Sequence, residues 1–558
     1  MSARAQRSGA QRLAAAIANA GITHAFVVGG HPVDSLIGAC GHAGIRLIGA
    51  RHQTGACLMS VAFNYVSGSV RSVVIVSAGP AASNCATGVL FAHDNRWPLI
   101  VLAGRLPSTD AQPGAFQDFD AGAFHAPLLR ARAVATGPDA VEAAFELVLA
   151  ASIAEMPGPT WVDLTLPALT GVTRLDARVP TSTRTPDSLR PGVLDLSSLD
   201  EAARCLAQAR RPVALVGEDL RWAAPWAPLR RLIEMLRMPF AATPLARGYL
   251  PEFHPLDVGA CRAAALADAD LVLMAGARVD WTVRHGVEFP SGAPLIQIGG
   301  ARSEHRGIGL GGDEAVALSA LVAALDTRLT GTERGVRDER WLERLCAQRV
   351  IASRCAARER PGADRTHADA RGFGASTDDW MDELAQALPD DAITVLDGSV
   401  AMTRAQRRLS ARTPVSRLTP GRNGTMGVGV AFAIGAKLAC PDRPVVLVSG
   451  DFAFGLNAFE LETAVRHRVP IVTVVANNRG LNGAQRQRQF LGADFADPVM
   501  SFGEGIRHDL LATSFGAHGL RVSCAGELAV AVGEALARDL PTCIDLPVPA
   551  DEPVLATI

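Results

Sequence analysis

Lysine is almost absent from this 558-residue chain: of its 54 Lys and Arg residues, Lys437 is the single lysine and the other 53 are arginine. Schiff-base catalysis and the lysine-containing phosphate loop both require a placed amine. Lys437 lies in an alanine-rich run that reads as helix, so neither chemistry is expected. C-x-x-C pairs are missing too. The ten cysteines are scattered, which argues against a zinc site or a disulfide framework and suits reduced, buried thiols. No stretch reaches 18 uninterrupted apolar residues, the N-terminus shows no apolar h-region, and the final Ala556-Thr557-Ile558 is no obvious address tag. The net charge of −2 supplies no basic field for nucleic acid or an anionic membrane. A soluble, cytoplasmic protein is the expectation.

What the chain does have is an ordinary globular balance, 48% hydrophobic and 20% charged. Its length suits about three domains of ~150 to 200 residues. The most informative stretch is Gly450 to Gly480. Arg443–Ser449 is a short apolar run, as a buried parallel strand should be. Gly450-Asp451 ends it, and the spacing of Leu461, Ala464 and Val465 predicts a helix over Leu456–His467. A second apolar strand, Ile471–Ala476, ends at Asn477-Asn478. Such a βαβ unit puts both strand ends on one edge, where ligands bind in open α/β sheets. Asp451 and Asn478 there would make an all-oxygen site of the kind Mg²⁺ accepts. A helix N-terminus beside them favours an anion such as a diphosphate. The same residues also suit a plain βαβ turn with Asp451 as helix N-cap.

Elsewhere the alternation of strand and helix repeats. In the first third, Gln11–Ala20 and Val33–Cys40 read as helices, and Ala25–Val28, Arg46–Ile48 and Val73–Ser77 as strands. Thr181–Asp195, rich in Pro, Thr and Ser, reads as a linker. Arg211–Gly217, Leu271–Gly276 and Pro294–Ile298 are strands of a middle unit, and Thr327–Ser376 is a charged helical connection followed by a loop. The last unit starts near Asp378, with Ile393–Asp397 as a strand. Glycines 421, 424, 427 and 429 allow close backbone approach to a ligand, or make a turn before a packed helix.

These pieces carry a resemblance. The Gly450-Asp451 pair, followed at the set interval by Asn477-Asn478, is similar to the thiamine diphosphate signature of the acetohydroxyacid synthase, pyruvate decarboxylase and oxalyl-CoA decarboxylase superfamily. GITHAFVVGGHPVD, ARHQTGACLMSVAFNYVSG and VVIVSAGPAASNCATGV in the first third, and RLTPGRNGTMGVGVAFAIGAK in the last, match the same superfamily. GAFQDFDAGAFHAPLLRARA and LVLMAGARVDWTVRHG resemble 2-hydroxyacyl-CoA lyases and oxalyl-CoA decarboxylases most. The resemblance implies three doubly wound α/β domains: pyrimidine-binding (1–180), central (195–327) and diphosphate-binding (378–558), with a connection over 328–377. It implies thiamine diphosphate and Mg²⁺ as cofactors, held between subunits of a homodimer or homotetramer. Asp451, Asn478 and the Gly480 carbonyl would hold the metal. Gly398, Ser399, Gly450 and Ala453 would surround the diphosphate. Met426 would be the wedge that bends the cofactor, and the Gly424 carbonyl would accept from its 4′-amino group.

Where the family reads R-H-E, this chain reads Arg51-His52-Gln53. The family glutamate hydrogen-bonds N1′ of the aminopyrimidine; Gln53 can hydrogen-bond but cannot act as an acid. Loss of such a group typically costs ~10²–10⁴ in rate, or ~3–6 kcal/mol of barrier. A relative, glyoxylate carboligase, has an apolar residue there. Gln53, His31 after Gly29-Gly30, Gln117 and Asn482 are the catalytic or pocket candidates, with His93 and His125 behind them and Gln485 and Arg486 beside Asn482. In the CoA-using relatives the place of Asn482 holds Tyr, and a longer basic tail follows. Phe452 stands where Gly, Ala or Ser is usual and must point away from the phosphates. The middle unit has Gln297-Ile298-Gly299-Gly300 in place of an acid after its last strand, so a structural role is expected there in place of bound nucleotide. The implied activity is cleavage or formation of a bond at a carbonyl carbon through an acyl-anion equivalent. That is either a 2-hydroxyacyl-CoA lyase-like reaction or a specialised acyl ligation. The other reading is a non-catalytic thiamine diphosphate-binding subunit.

Overall fold

The computed structural model describes residues 6–106, 116–154, 156–173, 194–299, 307–329, 337–358, 376–481, 500–503 and 505–550. Three parallel sheets account for nearly all its strands, and each is built from the short apolar runs read in the sequence. The chain divides into two compact units: 1–189, 375–409 and 418–558 form one, and 190–374 with 410–417 the other.

The first unit holds two six-stranded sheets. One has the spatial order Arg46–Gly49, His24–Val28, Ser72–Val76, Leu99–Arg105, Pro159–Thr165, Ala131–Ala135. The other runs Arg417–Leu418, Ile393–Asp397, Val445–Gly450, Val472–Asn477, Thr542–Pro547, His518–Arg521. In both, the chain begins near one side, steps outward, then crosses back, so the order reverses beside the first long strand. Strands at that reversal are buried along their length (Ser72–Val76, Ile393–Asp397) because helices cover both faces. A crevice opens at the carboxyl ends of the strands where such an order reverses. The second unit is a five-stranded parallel sheet with the order Phe240–Ala242, Pro212–Val216, Leu271–Ala275, Leu295–Ile298, Ile308–Leu310. At its edge Gln297 is buried, and Glu314 stands beside Gly299.

Two helices are buried almost all round, as only core helices are. Gln53–Ser67 starts with the His52 ring accepting from Thr54 N–H and ends at Gly68 in the left-handed region, φ 77°. Gly429–Ala439 packs against it. Phe432 of the second helix meets Phe91 and Trp97 at centroid distances of 5.2 and 5.9 Å, and Trp97 stacks on Tyr65 at 3.9 Å. Their closest approach is at Gly435, where an added Cβ would lie 2.3 Å from the Met59 carbonyl oxygen. Lys437 ends the helix by donating from Nζ to the carbonyls of Pro441 (2.7 Å) and Arg443 (2.9 Å).

Most expected elements are present within a residue or two. One differs. The single helix expected over Leu456–His467 is instead two, Asp451–Asn457 and Glu460–Arg466. Ala458 and Phe459 keep right-handed dihedrals, so the interruption is an offset, not a turn. Asn457 Nδ2 donates to the Gly427 carbonyl at 2.6 Å, and a side chain bonded to distant backbone competes with a regular helix. The linker Thr181–Asp195 lies outside the described residues except its last two, and Asp195 caps the helix Leu196–Gln208. Helix Glu339–Arg358 occupies the first part of the charged connection, and the preceding helix Glu314–Leu329 packs on Leu196–Gln208 of the middle unit.

Alanine is a better helix former than glycine by ~1 kcal/mol. Gly435→Ala should nevertheless lower the urea midpoint, because overpacking a tight contact costs about 1–3 kcal/mol. An unchanged or raised midpoint would mean that the two helices are free to separate.

Candidate cofactor and metal site

At the carboxyl edge of the second six-stranded sheet, Gly450 stands opposite Ala476 in register. The residues that follow each strand are therefore neighbours. Asp451 is the first residue of its helix, with Gly450 as N-cap in extended conformation. Its carboxylate is buried: Oδ1 accepts from Phe452 N–H (2.8 Å) and Oδ2 from Gly480 N–H (2.9 Å). One terminal atom of the Asn478 amide lies 2.9 Å from the Gly480 carbonyl oxygen and 3.1 Å from Asp451 Oδ1. As nitrogen, that atom donates to both. As oxygen, it completes a cluster of three oxygens that a cation would hold together. Adjacent oxygens on an octahedral Mg²⁺ with ~2.1 Å bonds stand about 3.0 Å apart, so the spacing fits the ion. Burial pushes the Asp451 carboxyl up to about 6; a dication beside it would favour the charged form. Phe452 turns its ring to stack with Phe502 at 6.0 Å and 13°, which leaves the backbone of this turn uncovered by its own side chain.

The neighbouring strand end supplies a backbone cradle. Asp397 is fully buried and its carboxylate binds three glycine amides: Oδ1 accepts from Gly398 (2.7 Å) and Gly427 (3.2 Å), Oδ2 from Gly429 (2.7 Å). Burial outweighs these donors and raises its pKa to about 6. A Cβ on Gly398 would come within 3.2 Å of Gly450 N and 3.3 Å of the Ala453 Cβ, so Gly398, Gly450 and Ala453 converge. Ser399 begins the helix Val400–Arg408 without capping it through its side chain. Gly424 has φ +64° and nothing within 4 Å of where a Cβ would stand. Met426, next but one, is 37% exposed. A convergence of small residues at Gly398, Gly450 and Ala453, next to the turn that bears Asp451, leaves backbone open to an anion as a metal-bound diphosphate requires.

The other six-stranded sheet gathers a second set at its own carboxyl edge. Gln53 opens the helix after Arg46–Gly49 and accepts at Oε1 from Asn84 Nδ2, 3.1 Å away. His31 is exposed; its carbonyl accepts from Ser77 Oγ at 2.6 Å. Gln117, at φ 57°, packs against Gly79, whose Cβ would lie 2.8 Å from that of Gln117. His125, by contrast, is buried against Trp161 and bonds the Ala82 carbonyl at 3.1 Å, as a core histidine does. His93 bonds the Leu128 carbonyl at 2.6 Å. Asn482, Gln485 and Arg486 lie outside the described residues.

Glu460 was not singled out by the sequence. It is buried, and it ties the two sheets of this unit together. Oε1 accepts from Arg51 N–H (3.2 Å) and His52 N–H (3.0 Å), and Oε2 from Thr463 Oγ1 (2.7 Å). Burial raises its pKa. Asn457, Asn84 and Asp397 also act through distant backbone or side chains, which local spacing does not show.

Three family descriptions match this chain: thiamine pyrophosphate enzyme, N-terminal TPP binding domain over residues 7–124, central domain over 199–319, and C-terminal TPP binding domain over 398–546. The chain is 31% identical over 531 residues to the acetolactate synthase large subunit of Mycobacterium tuberculosis, covering 94% of this chain and 93% of that protein. The chain belongs to the thiamine pyrophosphate enzymes. It is 28% identical to a 2-hydroxyacyl-CoA lyase of Oryza sativa (95% of this chain, 93% of the relative) and 27% to human 2-hydroxyacyl-CoA lyase 1 (95% and 93%). The fold is the three-domain α/β architecture of that family, and thiamine diphosphate is its cofactor. Among the described residues no helix is long and apolar enough to cross a membrane.

The Asp397 carboxyl yields a pH prediction. Unfolded, it titrates near ~3.9; folded, near 6. Its contribution to stability is therefore full below the lower value and is lost as pH rises through about 6. Urea midpoints should fall between pH 4 and 7. Asp397→Ala should be less stable throughout, since a buried amide without an acceptor costs about 1–3 kcal/mol, but its midpoint should fall less steeply. Equal slopes would exclude Asp397 as the source.

Proposed function

We propose that this thiamine diphosphate enzyme uses Mg²⁺ and cleaves or forms a carbon–carbon bond at a carbonyl carbon, as a lyase of the 2-hydroxyacyl-CoA type or as an acyl ligase. The observation that carries the proposal is the oxygen cluster of Asp451, Asn478 and Gly480, in the turn that follows Gly450, where Gly398 and Ala453 also converge. In this reading those three residues hold the ion. The amides around Gly398, Gly450 and Ala453 hold the diphosphate, and Met426 supports the bent cofactor. When bound, the thiazolium supplies an electron sink at the carbonyl carbon. Gln53 faces the aminopyrimidine, and His31 and Gln117 line the substrate side.

Gln53 in place of an acid favours the ligase branch, in which removing a proton from the cofactor is not the slow step. Exposed Met426 and Phe116 (37% and 80%) suit a homodimer or homotetramer. The described cysteines are free thiols, which suits a reducing compartment such as the cytoplasm.

Incubation with thiamine diphosphate, Mg²⁺ and a panel of 2-keto acids and 2-hydroxyacyl-CoAs tests the reading. Turnover of a 2-hydroxyacyl-CoA supports the lyase branch, and condensation of a 2-keto acid with an added aldehyde or ketone supports the ligase branch. No turnover with either would exclude both. Asn478→Ala removes a direct ligand and should weaken Mg²⁺ binding, and with it cofactor retention, by at least the roughly 10-fold that loss of an outer partner costs. Retention of cofactor at wild-type affinity in that variant, read by fluorescence titration, would remove Asn478 from the metal site.

A further inference from the structure

The side chain of Gln53 is held from one side. Asn84 follows the short helix Pro80–Ser83, and its backbone is fixed at both ends: its N–H donates to the Pro80 carbonyl (3.1 Å), and its carbonyl accepts from Thr54 Oγ1 (2.7 Å). Thr54 is the neighbour of Gln53. The loop after Ser72–Val76 is thus tied to the first turn of helix Gln53–Ser67 twice, once through Thr54 and once through the Asn84 Nδ2 to Gln53 Oε1 bond at 3.1 Å.

A primary amide has one acceptor atom and one donor atom. With Oε1 engaged by Asn84, Nε2 has no partner among the described residues. We infer that Asn84 is a positioning residue that turns the donor end of Gln53 outward, so that the protein offers an N–H to a ring nitrogen carrying no proton. This rests on the reading that Gln53 faces the aminopyrimidine.

The surroundings explain why a neutral donor suits this place. Glu460 already brings a buried carboxylate to the same turn, where it accepts from Arg51 and His52 N–H. A Cβ on Gly55 would lie 2.1 Å from its Oε1. A second carboxylate at position 53 would follow directly on the two residues whose amides Glu460 binds, and neighbouring anions raise each other's proton affinity. The amide keeps a hydrogen bond to the cofactor without that conflict. Bound cofactor is then recognised by a donor and remains neutral at N1′, whereas an acceptor at this position would require a protonated ring.

Calorimetric binding of thiamine diphosphate with Mg²⁺, in two buffers of different ionisation enthalpy, counts the protons taken up. Wild type should take up none. In Asn84→Asp the new carboxylate accepts from Gln53 Nε2 and turns Oε1 outward. That variant should take up a proton and bind about tenfold more weakly in mildly alkaline buffer, the size of one hydrogen bond. The ¹⁵N chemical shift of N1′ in labelled cofactor reads the same state in wild type alone, should Asn84→Asp not fold. A neutral shift supports the inference. Proton uptake by wild type, a protonated shift, or Asn84→Asp binding like wild type without uptake overturns it alone. Failure of wild type to bind thiamine diphosphate overturns the cofactor reading with it.

Discussion

The parallel register that sets Gly450 opposite Ala476 fixes where the site's atoms fall. From it, Asp451 and the Asn477–Gly480 turn leave the sheet side by side. A slip of one residue would send each side chain to the opposite face. The register is itself held from outside the strands. Asn477 Nδ2 donates to the buried Asp545 Oδ1 at 3.0 Å, and its own Oδ1 accepts from Arg479 N–H at 3.2 Å. The turn that bears Asn478 and Gly480 is therefore anchored on the next strand, Thr542–Pro547, as well as on its own.

Two buried anions organise the backbone around this edge, each in a different way. Asp397 gathers three glycine amides from two segments far apart in sequence. Glu460 reaches from one sheet's helices to the first turn of a helix that belongs to the other. In both cases burial works against the charge and the backbone amides work for it. Buried carboxylates of this kind specify arrangement more than they add stability. They place peptide groups where glycine alone would leave them free.

Much of this was legible in the sequence, because it is local. Apolar runs ended by Gly-Asp or Asn-Asn mark parallel strands and their tips, and Asp451, Asn478 and Gly480 do meet. Gly398, Gly450 and Ala453 converge. What was hidden depends on pairs far apart in the chain. Helical spacing over Leu456–His467 gave no sign that Asn457 bonds Gly427 and offsets the helix. Nothing in the Glu460 stretch announces a partner four hundred residues earlier, at Arg51. His125 was one of the secondary pocket candidates, and its ring packs on Trp161, a contact set by the tertiary fold. Asn84 gave no signal either; its importance follows only from where Gln53 lies.

The lone lysine has a practical corollary. Lys437 spends its amine on two carbonyls at the foot of the strand that leads to Asp451. Apart from any free α-amino group, an amine-selective acylating reagent therefore finds a single target on the whole polypeptide. The rate at which one acyl mass is added reports how readily Lys437 leaves those two carbonyls.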